Sequence, residues 1–293
     1  SYHGHGDAVM VSVAPAADKI GPADDPVSVP QTLGIPAEVT ELTRVVPFND
    51  LEALERTLAR YRGRVAGMIV EPAMMNAGFV LPEDGFLAGV KERLHAEGAL
   101  LAFDEVKTGA TIAYGGAVER FGVTPDLLCL AKSVGGGLPC GAIGGSDEVM
   151  DWIASGRIDQ VGTFNGNPLT MAAMRVTLTE ILTHAAYTEF DRLAEILKTG
   201  CDSVIEHTGV QGYTTVMSAR GAVTYRAERV RNYREYLEVS DELAYVNWLV
   251  QLNRGVFMAP WGKSENWTLS VQHSEEDVRR YVSNFEELGS ALA

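Results

Sequence analysis

Three short apolar runs, each followed by a polar residue, constrain the fold of this chain more than any other feature. The runs cover residues 65–70, 99–103 and 127–131, and the residues that follow them are Glu71, Asp104 and Lys132. Between the first two runs lies a helical pattern with Phe86, Val90 and Leu94 on its apolar face. Strands that are apolar on both faces and alternate with amphipathic helices are typical of a parallel sheet covered on both sides. The sequence therefore predicts an α/β fold.

The segments around these runs carry signals of loops and helix starts. Residues 12–47 are rich in Pro, Gly and Asp, so we expect a long irregular connection that acts either as a mobile lid or as a static surface loop. Asp50 is placed to cap a helix. Asn167 followed by Pro168 is placed to begin another helix, which reaches about residue 184.

Beyond residue 184 the pattern changes to a mixture of helices and short strands. We expect helices over 187–207 and 240–254, antiparallel strands within 213–226, and short strands at 256–258 and 267–271. A pattern like a capping box at Ser274 begins a last helix. This part of the chain predicts a smaller α+β domain.

The composition excludes several classes of function. The chain has 24 Lys and Arg against 39 Asp and Glu, and no basic run rises above this net charge of −15, which argues against a nucleic-acid surface. Cys129, Cys140 and Cys201 form neither a CxxC pair nor a cluster with histidine, so we expect no metal site, no disulfide and a reducing cytoplasmic setting. No apolar stretch approaches the roughly 20 residues that span a membrane.

A lysine and an aspartate at the ends of parallel strands indicate one specific chemistry. Ligands of open α/β sheets bind at the carboxyl ends of the strands, where Asp104 and Lys132 are expected to meet. Pyridoxal phosphate (PLP) needs a lysine amine for its aldehyde and a carboxylate beside its pyridine nitrogen. Taken singly, Asp104 could cap a turn and Lys132 could be a solvated loop lysine. The glycines at 135–137 favour the PLP interpretation, because they let the backbone pass close to a ligand.

These residues lie in motifs that resemble those of a known family. Phe103-Asp104-Glu105-Val106, with the later Leu-Ala-Lys-Ser-Val-Gly-Gly-Gly-Leu-Pro that contains Lys132, resembles the signature of class III aminotransferases. Segments 2–5, 47–52, 113–117, 121–126, 162–168, 255–260 and 273–277 look like the glutamate-1-semialdehyde 2,1-aminomutase branch. The resemblance runs over essentially the whole chain and is most specific between Asp104 and Lys132.

The resemblance implies the PLP fold-type-I architecture, a mostly parallel sheet with helices on both faces plus a C-terminal α+β domain. The large PLP-binding domain would cover residues 1–184 and the small domain residues 185–293. Lys132 would form the Schiff base with PLP and then move the proton between substrate and cofactor, and Asp104 would pair with the pyridinium.

Further residues receive roles from the same resemblance. Val106 would pack on one face of the cofactor ring and Tyr2 on or near the other, although both could be ordinary core residues. Asn76 would approach the phenolic oxygen, with Glu71 behind it. Thr163 would reach the phosphate of the neighbouring subunit in a homodimer with shared active sites, unless it is simply a residue at a helix entry.

Three departures from the family pattern bear on the substrate. The main phosphate-binding turn of the family lies upstream of the Tyr2-His3-Gly4 segment, so we expect this chain to be a fragment of a longer protein. Residues 261–267 contain no arginine, although many class III transaminases use one there to bind a substrate carboxylate. The branch usually has Gly-Asn-Met where this chain has Met75-Asn76-Ala77.

The sequence thus predicts an aminotransferase or aminomutase that acts on a small amine or amino-acid substrate. Within the enzymes, the alternative is an ω-amine or ω-amino-acid transaminase, which needs an external amino acceptor. Outside the enzymes, the alternative is a non-catalytic, truncated paralogue that folds without retaining PLP.

Overall fold

The chain divides into two units, and each gathers residues from separate stretches of sequence. The computed structural model describes residues 1–259, 262–263 and 266–293. The first unit consists of Ser1–Pro72, Pro82–Ala110 and Gly115–Glu180, and the second of Ala73–Leu81, Thr111–Tyr114 and Ile181–Ala293. Two short segments from the first part of the sequence therefore belong to the unit that holds the C-terminus. The domain boundary expected after residue 184 stays a prediction.

The sheet of the first unit has four strands, and most of its pairing is parallel. The strands in chain order are β1 (Gly67–Val70), β2 (Leu100–Asp104), β3 (Leu127–Ala131) and β4 (Gly141–Gly145). They lie side by side in that order, with β1–β2 and β2–β3 parallel and β3–β4 antiparallel. The mostly parallel sheet expected from the apolar runs is present. The edge strand β4 was not predicted, because a run with three glycines in five residues shows no strand periodicity.

Six α-helices accompany this sheet in the described part of the first unit. They are α1 (Ala37–Thr40), α2 (Leu51–Arg60), α3 (Phe86–Ala96), α4 (Gly116–Phe121), α5 (Asp147–Ala154) and α6 (Pro168–Val176). The predicted caps are both present: the Asp50 side chain accepts a hydrogen bond from the Ala53 N–H, and the Asn167 side chain accepts one from the Thr170 N–H. A π-helical turn, Thr177–Ile181, follows α6 directly.

The core of the first unit fixes the position of β2. Helix α3 packs on this strand, and Val90, Leu94, Leu101 and Phe103 are each 0% exposed. Burying an apolar side chain of this size contributes about 1.5–3 kcal/mol to stability. The last residue of the strand, Asp104, is therefore held in place by the packing that precedes it.

The connection over residues 12–47 is irregular apart from α1, as its composition predicts. It is tied to itself by an isolated bridge between Val11 and Pro30 and by the Ser12 N–H, which donates to the Val29 carbonyl at 2.7 Å. Asp25 forms an ion pair with Arg60 of α2 at 2.9 Å. Its expected opening and closing as a lid stays a prediction.

The second unit combines a small antiparallel sheet with long helices. Its helices are α7 (His184–Thr208), α8 (Tyr233–Leu237), α9 (Asp241–Asn253) and α10 (Glu275–Leu292), and its strands are β5 (Tyr213–Met217), β6 (Arg220–Thr224) and β7 (Trp267–Thr268). The strands pair in the order β5-β6-β7, and α7 packs on α10. The capping box at Ser274 is present, with Asp277 as its reciprocal partner. The predicted α+β character is therefore found.

One strand prediction is wrong. Residues 256–258 form no strand, because the backbone there completes the end of α9. The Val256 N–H donates to the Gln251 carbonyl at 2.9 Å, which is the bond that closes a Schellman motif after a helix. The strand expected over 267–271 is also shorter, covering only Trp267–Thr268.

None of the helices within the described residues is both long enough and apolar enough to cross a bilayer.

Candidate active site

Glu71, Asp104 and Lys132 lie at one edge of the sheet in the first unit. Asp104 ends β2, while Glu71 and Lys132 directly follow β1 and β3, and these three strands are parallel neighbours. Glu71 and Asp104 are buried, whereas Lys132 is exposed. The carboxyl ends of the strands thus bring an amine and two carboxylates to the same edge, as the sequence predicts.

Asp104 is held from two sides. Its Oδ1 accepts a hydrogen bond from the Val106 N–H at 3.0 Å, and its Oδ2 lies 2.8 Å from Nδ1 of His3, whose side chain is 11% exposed. Both contacts fix the orientation of the carboxylate. In the sequence, His3 belongs to the motif over residues 2–5, and no separate role was predicted for it. No local signal could give it one, because its partner lies 101 positions later.

The pKa of Cys129, the residue of β3 in register with Asp104, depends on the charge of Asp104. Asp104 is in register with Cys129, and burial together with the Asp104 carboxylate raises the pKa of the Cys129 thiol. The thiol therefore stays protonated at neutral pH and adds no second negative charge beside the aspartate.

Lys132 stands on a strained backbone. It opens a 3₁₀ turn, Lys132–Gly135, with a φ of +53°, which a residue with a side chain seldom adopts. The following Gly136 passes so close to the π-helical turn that an added Cβ would lie 2.2 Å from Oγ1 of Thr177. The lysine is thus presented by a turn that is docked against the end of α6.

Glu105 faces a different environment from the neighbouring Asp104. It is 3% exposed, and its Oε2 accepts hydrogen bonds from the Ala117 N–H at 2.8 Å and from the Thr108 hydroxyl at 3.2 Å. Burial raises the pKa of Glu105 above its ordinary value, against the opposing effect of these two bonds. This carboxylate organises the turn between β2 and α4.

The remaining predicted residues of the first unit have the following surroundings. Tyr2 is half-buried, and its hydroxyl lies 2.6 Å from Nδ1 of His5. Val106 is half-buried next to Asp104, and the Glu71 carboxylate contacts the Ser1 hydroxyl. Thr163 lies in an exposed turn just before α6. The structure thus groups Asp104, Val106 and His3 by direct contact, and it leaves Thr163 at the surface.

Asn76 belongs to the second unit. It is half-buried in a segment closed by the isolated bridge between Met74 and Val80. This segment is anchored by Asn266, whose amide donates to the Met75 carbonyl at 3.2 Å and whose Oδ1 accepts from Nη1 of the buried Arg220 at 3.0 Å. Arg220 could not be singled out from the sequence, since a lone arginine in a strand belongs to no motif.

Part of one expectation lies outside the described residues. The lack of an arginine clamp was read from residues 261–267, of which Trp261, Ser264 and Glu265 are not described, and neither is Pro260 of the tail motif. Among the described residues, no group of three or more His, Cys, Asp or Glu side chains is arranged to bind a metal ion. The three cysteines are free thiols.

A match to a protein-family model identifies the family of this chain. The model of the family described as aminotransferase class III matches residues 1–224. The chain belongs to this family.

Individual relatives of the family agree with its fold. A glutamate-1-semialdehyde 2,1-aminomutase 2 from Exiguobacterium sp. is 39% identical over 286 residues, which are 97% of this chain and 64% of that protein. The crystal structure of an omega-transaminase from Sphaerobacter thermophilus matches with a TM-score of 0.89 at 33% identity, over 99% of this chain and 66% of that one.

A third relative is a glutamate-1-semialdehyde aminomutase from Pseudomonas aeruginosa PAO1, solved in complex with PMP. It matches with a TM-score of 0.84 at 29% identity, over 99% of this chain and 64% of that one. This chain therefore spans slightly less than two thirds of the length of each of these relatives. The PLP fold-type-I architecture is confirmed by these matches.

The environment of Glu105 predicts a specific pH dependence of stability. Because its folded-state pKa is raised above the ordinary 4.5, stability should fall as the pH rises from about 4.5 through that pKa. Glu105→Gln keeps an oxygen that accepts from Ala117 but cannot ionise, so this component of the pH dependence should disappear. Denaturant unfolding between pH 4.5 and 8 measures the difference. The exposed Glu83→Gln serves as the control, and parallel profiles of Glu105→Gln and the unsubstituted chain would contradict the prediction.

Proposed function

We propose that the complete protein catalyses PLP-dependent amino-group transfer of the glutamate-1-semialdehyde 2,1-aminomutase type on a small amine or amino-acid substrate. The observation that carries this proposal is the presence of Lys132 and Asp104 at one sheet edge, with Asp104 fixed by His3 and the Val106 N–H. The 39% identity to a relative of this type supports it.

The residues present fit the cofactor. Asp104 is a buried carboxylate whose two hydrogen bonds set its orientation, and Lys132 is an exposed amine on a strained turn. When bound, PLP supplies an aldehyde to which an amine attaches and a ring that accepts electrons. Lys132 would hold the aldehyde carbon, and Asp104 would hold the pyridine nitrogen.

The other contacts to the cofactor follow the resemblance. Val106 and Tyr2 would pack against the two ring faces. Asn76 would approach the phenolic oxygen with Glu71 behind it, and Thr163 would bind the phosphate in a neighbouring subunit.

The chain's own residues divide the proton chemistry between them. The Asp104 carboxylate favours the protonated form of a nitrogen opposite it, because an opposite charge at short range stabilises the charged form. His3 contacts the Asp104 carboxylate and keeps its orientation fixed. Once displaced by a substrate amine, the Lys132 amine is the base that takes a proton from the substrate carbon and returns it.

An ω-amine or ω-amino-acid transaminase is the second candidate, favoured by the structural match to the Sphaerobacter enzyme. A mutase returns the amine to the same carbon skeleton, so it turns over without any added acceptor. A substrate screen with and without a 2-oxo acid therefore separates the two. A non-catalytic paralogue is the third candidate, and it would retain no PLP after dialysis.

We also propose that the complete protein is a homodimer with shared active sites. Thr163 lies in a surface where Val161, Phe164 and Leu169 are 85%, 81% and 72% exposed. Apolar side chains exposed together in this way indicate a contact surface. A second copy of the chain is the partner that would also place Thr163 at a cofactor phosphate.

Lys132→Ala should abolish covalent attachment of PLP, since Lys132 is the amine at the carboxyl end of β3. The measurement is borohydride reduction of the PLP-treated protein and mass spectrometry of its peptides. The control is Lys107→Ala, a lysine of the neighbouring loop, which should keep the modification on the peptide containing Lys132. A normal yield of modified protein in Lys132→Ala would remove this lysine from the role.

Asp104→Asn should leave PLP bound but slow turnover by about 100-fold or more, because an amide cannot stabilise the pyridinium and each 1.36 kcal/mol added to the barrier is tenfold in rate. Steady-state kinetics and bound PLP are measured together on the complete protein. The exposed Asp84→Asn is the matched control. Turnover close to that of the control would place the essential carboxylate elsewhere.

Thr163→Val should weaken PLP retention by about tenfold in the complete protein, the loss expected for one hydrogen bond to a charged group. Dimerisation should persist, because the change keeps the size of the side chain. Sedimentation and PLP dissociation are compared with Thr124→Val, an exposed threonine elsewhere. A monomer that holds PLP tightly would rule out the shared site.

A further inference from the structure

The second unit contains a cavity that the proposed reaction does not use. Its lining comes from β6, β7, α9, α10 and nearby loop residues, and it includes Tyr225, Trp248, Lys263, Trp267 and Tyr281. The cavity volume is about 30 Å³, so only a molecule of a few non-hydrogen atoms fits inside. None of these residues is among those assigned to PLP.

Three polar atoms of this lining have no hydrogen-bond partner among the described residues. They are Nε1 of Trp248, Nε1 of Trp267 and the hydroxyl of Tyr225. Tyr225 is 5% exposed and Trp267 is 9% exposed. Buried polar groups of native proteins are nearly always paired, and those without a partner call for an explanation. A ligand in the cavity would supply the acceptors that the described residues do not.

Packing prevents Trp267 from turning to another acceptor. Its indole lies on Gly221, the residue opposite it in β6, where an added Cβ would meet the ring at 2.4 Å. Tyr281 packs edge-on against the same ring, with 5.3 Å between the ring centroids. The Tyr281 hydroxyl in turn accepts a hydrogen bond from the Asn247 amide at 3.3 Å. The indole N–H is thus held in place as part of the cavity wall.

The described lining offers hydrogen-bond donors. An indole N–H can only donate, and a phenol can donate as well. Among the described residues, the lining contains no Asp or Glu, and the ammonium group of Lys263 is paired with Asp241 at 3.2 Å and donates to the Leu237 and Val239 carbonyls at 3.1 Å each. Water would need acceptors for its own two hydrogens, whereas a carboxylate presents acceptors only. We propose that this cavity binds a small aliphatic carboxylate such as acetate or propionate, between aromatic rings and with the two indole N–H groups and the Tyr225 hydroxyl as its donors.

Indole N–H resonances test the proposal directly. The ¹⁵N-labelled chain is titrated with sodium acetate against sodium chloride at equal ionic strength, with signals assigned from single Trp→Phe variants. The signals of Trp248 and Trp267 should shift downfield with one common saturation curve. Trp152, an exposed residue of the first unit beside Arg157, should not move. No saturable shift at Trp248 and Trp267, or an equal shift at Trp152, would overturn the site.

Substitutions that keep the rings test the role of the donors. Trp248→Phe and Tyr225→Phe should each weaken acetate binding by about tenfold, as expected for a lost bond to a charged acceptor. Trp152→Phe should leave it unchanged. Tyr225→Phe should also raise the melting temperature of the acetate-free chain, since it removes a buried hydroxyl without a partner. Undiminished acetate binding in both variants, or equal affinity for neutral acetamide, would overturn the proposed carboxylate recognition.

Discussion

The parallel pairing of β1, β2 and β3 is the constraint on which the candidate site depends. Parallel strands in register must end at the same edge, so the pairing of Val70 with Phe103 and of Asp104 with Cys129 places the residues that follow within one region. The apolar packing that fixes β2 is therefore also what positions the carboxylate. The stability of the core and the position of the residues at the edge thus depend on the same strands.

The elements that sequence could predict are those with strong local signals. The strand Leu127–Ala131 was bounded correctly because an apolar run stops at a charged residue, and Asp50 and Asn167 cap the helices that their positions predict. An element without a strong local signal was not predicted. Gly141–Gly145 forms a strand because β3 offers it an open edge, which is a property of the sheet and not of the segment itself.

In the second unit, the hydrophobic pattern of the sequence does not show how the helices pack. Helix α9 buries amides where an apolar stripe would be expected. Gln251 is 0% exposed, its Nε2 donates to the Tyr281 carbonyl at 3.0 Å, and its Oε1 accepts from the Asn284 amide at 3.0 Å. Buried polar groups are tolerated when each is satisfied, and such a network then specifies one arrangement of the helices. The sequence showed that these helices exist, but only the partners of Gln251 reveal how they pack.

Asp104 and Glu105 show how adjacent carboxylates acquire separate tasks. As a strand ends, successive side chains point to opposite sides, so neighbours in sequence enter different surroundings. Asp104 contacts the imidazole of His3 and accepts a hydrogen bond from the Val106 N–H. Glu105 meets a buried turn in which burial raises its pKa. The motif alone does not distinguish the two acids, since each would satisfy the need for a carboxylate near the sheet edge. The difference arises from their surroundings, since His3 reaches Asp104 from a position 101 residues earlier in the sequence.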